Sequence, residues 1–442
     1  MSKEADIHIL GGGPAGMASA YYAKKNNVTF KIFESTGSIG VNCRTLELNS
    51  FKFDTGAHRF HDKIPSVTLE IKKILGDELR KVVAPSKIYF NNSYINFPIQ
   101  ISEVLNVLDI KTILKIIKEV ACNQIYSTKT SINFKDYSYR RYGKTLSELF
   151  LMNYSEKLWG LPPKMLQTEI SGGRLKGLNI TNIIKEMIFK NRKSDHLDGS
   201  FYYPRNGYGS IFENIRNIIG DKHIEYHAPI TKLIHKNSKI EKIIYNNSKI
   251  VPVEKVISTL PITSLIKILD PSPPEAIMKN ILKFRYRSLK LCVILINKER
   301  ISNNASIYFP EKNIPYTRMY EPKNRSEYLA PENQTAIVVE VPYEIDIVDK
   351  SDFHEVLLDL VQTDLINKNF FSKDDIILSK IINIPNAYPV LKIGFDEEMG
   401  IVKEYLMNFK NLYMVGRNAE FKYLHTHDLF YKSQNLINQI FI

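Results

Sequence analysis

At 442 residues the chain is long for one hydrophobic core, and two or three lobes are expected. Hydrophobic residues make up 44% and charged residues 24%, as in ordinary soluble globular proteins. The net charge of +13 is carried by scattered lysines, so it reads as a basic surface able to steer anions and argues against a nucleic-acid interface.

The first element is the run Ile7-His8-Ile9-Leu10-Gly11-Gly12-Gly13-Pro14-Ala15-Gly16, a buried strand, a glycine turn and a helix start. Gly11 allows the tight turn, Gly13 lets the backbone approach a pyrophosphate, and Gly16 lets helix and strand pack closely. The helix start at Pro14 and Ala15 offers free N–H groups and a positive dipole end to phosphates. A second strand, Val28 to Phe33, ends at Glu34, 18 residues after Gly16. An acid at that place accepts the ribose hydroxyls of an adenine dinucleotide.

A second glycine-bearing loop, Gly37 to Thr45, contains Arg44, and Phe51 to His61 reads as a strand ending in a glycine turn. Residues 66–200 are mainly helical by pattern, with a hairpin at Ile88 to Phe97, and form an inserted lobe. Within it, Ile99 to Val120 is amphipathic and is expected to face a core. Tyr202 to Ser210 is a loop that starts a helix. Short strands at Ile224 to Ile234, Ile240 to Tyr245 and Val256 to Thr259 return the chain to the first lobe. Residues 285–345 are strand-rich and build a substrate-side sheet. Asn411 to Ile442 runs from strand (Leu412 to Val415) through loop to a helix opened by Asp428.

The expected division is 1–65, 201–280 and 401–442 for the dinucleotide-binding domain, 66–200 for the helical lobe, and 281–400 for the sheet domain. Cys43, Cys122 and Cys292 lie far apart, with neither metal-ligand spacing nor a disulfide pattern, which fits a reducing cytoplasm. No metal site, signal peptide or membrane-spanning run is expected.

Six segments together resemble a family. Gly56-Ala57-His58-Arg59-Phe60-His61 resembles a G-A-H-x-F-H turn, and Ser155-Glu156-Lys157-Leu158-Trp159-Gly160 resembles a T-E-K-x-W-G segment. Gly173-Arg174-Leu175, Tyr286-Arg287-Ser288-Leu289, Pro315-Tyr316-Thr317-Arg318 and Gly416-Arg417 with Tyr423 follow in matching order. The chain thus resembles flavin-dependent enzymes of the amine oxidase and protoporphyrinogen oxidase type, in the branch of UDP-galactopyranose mutase. It departs from the mutase pattern at Gly40-Val41-Asn42, where G-G-N is usual, and at His425, where an aspartate is usual.

The resemblance implies an α/β fold: a Rossmann-type FAD-binding domain, an inserted helical lobe and an antiparallel substrate-side sheet. It implies FAD on Gly11, Gly13, Pro14, Ala15, Gly16, Glu34 and Arg44, with Gly56, Ala57, His58, Gly416, Arg417 and Asp428 around the flavin. Arg174, Arg287 and Arg417 would bind a diphosphate or other dianion with Tyr316 and Tyr423, their guanidinium forks matching phosphate oxygens. Trp159 would stack near substrate or cofactor. His58, Arg174 and Arg287 would carry the catalytic roles, with His61 structural.

Two reactions stay open. One interconverts pyranose and furanose rings of a nucleotide sugar, with N5 of reduced FAD (FADH−) as nucleophile, for surface polysaccharide synthesis. The other passes a hydride from an anionic substrate to oxidised FAD. The resemblance further implies NAD(P)H or another electron donor, a homodimer, and a cytoplasmic location with a peripheral place at the inner membrane left open.

Overall fold

The computed structural model describes residues 5–97, 99, 101–104, 107–126, 131–171, 200–344 and 351–441. The first strand, β1 (Ile7–Leu10), lies at the centre of a five-stranded parallel sheet. On one side it pairs with β2 (Phe30–Phe33), which pairs with Ile224–Glu225; on the other it pairs with Val256–Ser258, which pairs with Leu412–Met414. The sheet therefore gathers strands from the start, middle and end of the chain. Burial on both faces explains the unbroken apolar character of β1, whose Ile7, Ile9 and Leu10 are fully buried. The helix α1 (Pro14–Lys25) packs against the last helix, Thr426–Phe441, and Ser19 Oγ lies 3.2 Å from Ser433 Oγ.

A seven-stranded sheet forms the second layer. Its order is Ile376–Pro389, Tyr286–Ile296, Thr335–Tyr343, Arg318–Tyr320, Ser306–Tyr308, Ser86–Phe90, Ser93–Phe97. Strand Tyr286–Ile296 is unbrokenly apolar from Leu291 to Ile296, where both faces are covered. Leu289, Leu291, Val293 and Leu295 meet one cluster, and Cys292, Ile294 and Ile296 meet another. The hairpin Ser86–Phe97, which the sequence assigns to the helical lobe, extends this sheet through a parallel pairing of Ser86–Phe90 with Ser306–Tyr308. The sheet is thus antiparallel except at that one pairing.

The amphipathic stretch Ile99 to Val120 divides into Ile101–Val104 and the longer helix Ile110–Tyr126. Among the described residues no helix is long and apolar enough to cross a membrane.

Candidate active site

The glycine turn after β1 is shaped by its own chain. Gly11 has φ +102°, and a Cβ there would overlap Thr259 Oγ1. A Cβ on Gly16 would fall inside the Gly11 carbonyl oxygen. At Gly13 the space is open: an added Cβ would meet only Val41, no closer than 3.6 Å. Glu34 is buried, and its Oε2 accepts the Gly12 N–H at 2.7 Å while Oε1 accepts from Thr36 N at 2.8 Å. Arg44 donates to Ser38 Oγ at 2.6 Å and to the Val41 carbonyl at 3.0 Å. Pro14 and Ala15 open α1 beside this turn, and a Cβ on Gly416 would lie 3.5 Å from that of Ala15. Asp428 Oδ2 accepts the His425 N–H at 2.9 Å, so its carboxylate caps the last helix.

The Gly56-Ala57-His58 turn is tied to the seven-stranded sheet by Glu340. That buried carboxylate accepts the Ala57 N–H at 3.1 Å and grips Arg318 through bonds of 2.7–2.9 Å. His58 stacks on Tyr208 with centroids 5.0 Å apart, and its Nε2 lies 3.7 Å from Cys43 Sγ. Burial, then the charges of Arg417, Arg318 and Arg325, push His58 down to about 3, so it is neutral at physiological pH. Burial pushes the Cys43 thiol up to about 12, which keeps it protonated.

Burial also lowers His8, to about 4. With folded values below the unfolded 6.5, the unfolded chain takes these protons first. The stability contributed above pH 6.5 therefore drains as pH falls toward the folded values. The urea midpoint is expected to drop from about pH 7 to about pH 5, with a shallower fall in His58→Gln. An equal slope in the variant would contradict this.

Trp159, Tyr388 and Tyr423 form a triangle with centroids 5.7–5.8 Å apart. The Arg417 guanidinium lies 5.1 Å from the Tyr423 ring and 5.8 Å from Tyr388, and it is aimed by bonds to the carbonyls of Leu424 and Ala387. Arg287 is the cross-strand partner of Tyr388 and donates to the Lys157 carbonyl at 3.1 Å, two residues before Trp159. Lys157 itself donates to the carbonyls of Phe309, Glu311, Ile314 and Tyr316, which fastens the Trp159 helix to the Pro315–Arg318 segment.

The structure thus brings His58, Trp159, Arg287, Arg417 and Tyr423 together. Tyr316 is placed elsewhere. Its ring is fully buried beside Phe309, in the cluster under the helix Ser351–Asn367, and its hydroxyl donates to Asp364. The segment contributes Arg318 instead, which sits 5.9 Å from the Tyr308 ring. Arg174 lies outside the described residues.

Arg318, Glu340 and Tyr388 also belong to this cluster, and the sequence does not single them out. Arg318 stood in a quoted motif, two positions past the tyrosine chosen. Tyr388 had no motif to mark it.

FAD fits this arrangement on three counts. The space above Gly13 admits a pyrophosphate at a helix start. Glu34 Oε2 receives one bond from Gly12 and keeps a lone pair for a ribose hydroxyl. Among the described residues, His58 Nδ1, Arg287 Nε and Asn418 Oδ1 are buried without partners, as groups awaiting a polar ligand are.

Comparisons with known proteins agree with this fold. A family profile for NAD(P)-binding Rossmann-like domains matches residues 9–68, and the profile for UDP-galactopyranose mutase matches residues 149–356. The structure superposes on reduced UDP-galactopyranose mutase with a TM-score of 0.87 at 18% identity, covering 99% of this chain and 95% of that one. A protoporphyrinogen oxidase-like protein from Exiguobacterium sp. 255-15 gives 0.77 at 16% identity, covering 100% and 99%. Putrescine oxidase bound to putrescine gives 0.66 at 12% identity, covering 99% of each chain.

Proposed function

We propose, for a flavoenzyme of the FAD-dependent amine oxidase-like superfamily in its UDP-galactopyranose mutase-like branch, that it interconverts the ring forms of a nucleoside-diphosphate sugar. The observation that carries this reading is the cation-lined aromatic wall. Arg417 and Arg318 bear on a neutral His58, and Arg417 leans on the same tyrosines that meet Trp159.

Trp159, Tyr388 and Tyr423 provide flat apolar surface and phenol groups for a sugar nucleotide. Arg287, Arg318 and Arg417 bind the diphosphate and stabilise the charge that builds on it as the anomeric bond breaks. Glu340 keeps Arg318 pointed. His58 stays uncharged and so leaves the site's positive field to the arginines. Bound reduced on the glycine turn, FAD supplies the nucleophilic nitrogen for the anomeric carbon. The reading extends to Arg174 as a further phosphate ligand, to NAD(P)H or another donor, and to a homodimer. It also includes service to surface polysaccharide synthesis, and a cytoplasmic place peripheral to the inner membrane.

The test is an anaerobic screen of nucleotide sugars. Turnover is expected only after dithionite reduction, without net consumption of reductant. Full activity with oxidised flavin and stoichiometric peroxide would replace this reading with a hydride-transferring oxidoreductase.

A further inference from the structure

The helix Ile110–Tyr126 buries one face and leaves two ordered rows outside. Ile116 and Val120 point into the core. Ile110, Leu114 and Ile117 share one line along the helix, and they are 73%, 61% and 42% exposed. Lys111, Lys115 and Lys118 form the next line, all exposed. Among the described residues none of the three lysines has an ion-pair partner. Isolated exposed isoleucines need no explanation, but a straight apolar row flanked by a straight basic row is the pattern of a helix lying in a lipid interface.

The geometry points to this helix as an interfacial element that lies on an anionic lipid surface, its Ile110–Leu114–Ile117 row among the headgroups and its lysine row on the lipid phosphates. The inference deepens the peripheral location proposed above and gives it a surface.

A second copy of the chain fits less well. A complementary row exists on the helix Ser351–Asn367, where Phe353, Val356 and Leu360 are exposed beside Glu355 and Asp359. That helix packs on the opposite face of the seven-stranded sheet. In strand Ser86–Phe90, Ile88 and Phe90 join the cluster of Ile116 and Val120, while Tyr89 joins that of Leu357 and Val361. Copies meeting through these two rows would join head to tail in a ring or a filament, not in a two-fold dimer. A planar anionic surface needs only the basic face, and the acidic row then points away from it.

The experiment is co-sedimentation of the holoenzyme with vesicles of equimolar phosphatidylglycerol and phosphatidylcholine, set against phosphatidylcholine alone. Light scattering is run on the same samples without lipid, and flavin content serves as the folding control. Binding is expected to the anionic vesicles only. A lysine near such a surface contributes about fivefold in affinity, so Lys111→Glu/Lys115→Glu/Lys118→Glu should lose about a hundredfold or more. Leu114→Asp should lose about tenfold or more at unchanged flavin content. No binding by the wild-type protein overturns both the helix assignment and the peripheral location. Binding that survives both variants overturns the helix assignment alone. Sensitivity to the lysines without sensitivity to Leu114 means general polyanion attraction and overturns it too. An oligomer that Leu114→Asp converts to monomer makes the row a contact between copies, with the same consequence. None of these readouts depends on turnover.

Discussion

Gly13→Val protein is expected to come through purification folded and colourless. The backbone at Gly13 is extended, with φ −72° and ψ −177°, so a β-branched residue meets no conformational barrier. A Cβ there meets Val41 at ordinary contact distance and nothing else within 4 Å. The methyl groups instead fill the space through which a pyrophosphate reaches the first N–H groups of α1. Gly16→Ala is the control with the opposite signature. Its Cβ would overlap a backbone carbonyl that no side-chain rotation can move aside, so the strand–helix unit itself is strained, by about 1–3 kcal/mol. Flavin absorbance per polypeptide and far-ultraviolet dichroism separate the two. Normal flavin occupancy in Gly13→Val would remove the glycine turn from the cofactor site.

Glu340→Ala is expected to lower stability by about 3–5 kcal/mol and to abolish turnover. The substitution leaves the Arg318 guanidinium buried without its counter-ion and the Ala57 N–H without its acceptor. The double variant Glu340→Ala/Arg318→Met removes the stranded charge and should regain most of the lost stability while remaining inactive. Chemical denaturation and the reduced-enzyme assay report the two properties independently. An active double variant would mean that Arg318 takes no part in holding substrate. A double variant as unstable as the single one would assign the role of Glu340 to Ala57 instead.

The candidate cofactor residues stand out in the sequence because their signals are local. Gly11, Gly13 and Gly16 each answer to a constraint within a few residues, and Glu34 follows at the length of one helix and one strand. The proposed substrate half carries a sequence signal only where a motif and a regular element coincide, as with Trp159 at the end of its helix. Pro315-Tyr316-Thr317-Arg318 shows the failure. Alternation would put Tyr316 and Arg318 on one face, but the strand begins at Arg318, and the irregular chain before it turns Tyr316 into the cluster that also takes Met319.

Tyr388 was hidden for a related reason. The pairing of Tyr286–Ile296 with Ile376–Pro389 shifts register between Arg287 and Leu289, and Asn386 takes φ +50° there. This bulge re-aims Tyr388 and presents the Ala387 carbonyl to Arg417. A shift of that kind is a property of two strands, and one sequence pattern does not contain it. The hairpin Ser86–Phe97 likewise found its partner more than 200 residues away, at Ser306–Tyr308.

The order of strands in the parallel sheet also sets a timetable. β1 leaves the ribosome early, but its neighbours at Val256–Ser258 and, beyond them, Leu412–Met414 emerge only after most of the chain has been made. At about 5–20 residues per second the delay between first and last strand is about 20–80 s. Throughout that interval the apolar β1 and α1 await their covering helix. The parallel sheet, and with it the candidate cofactor cradle, is therefore complete only once its last strand and last helix have been made.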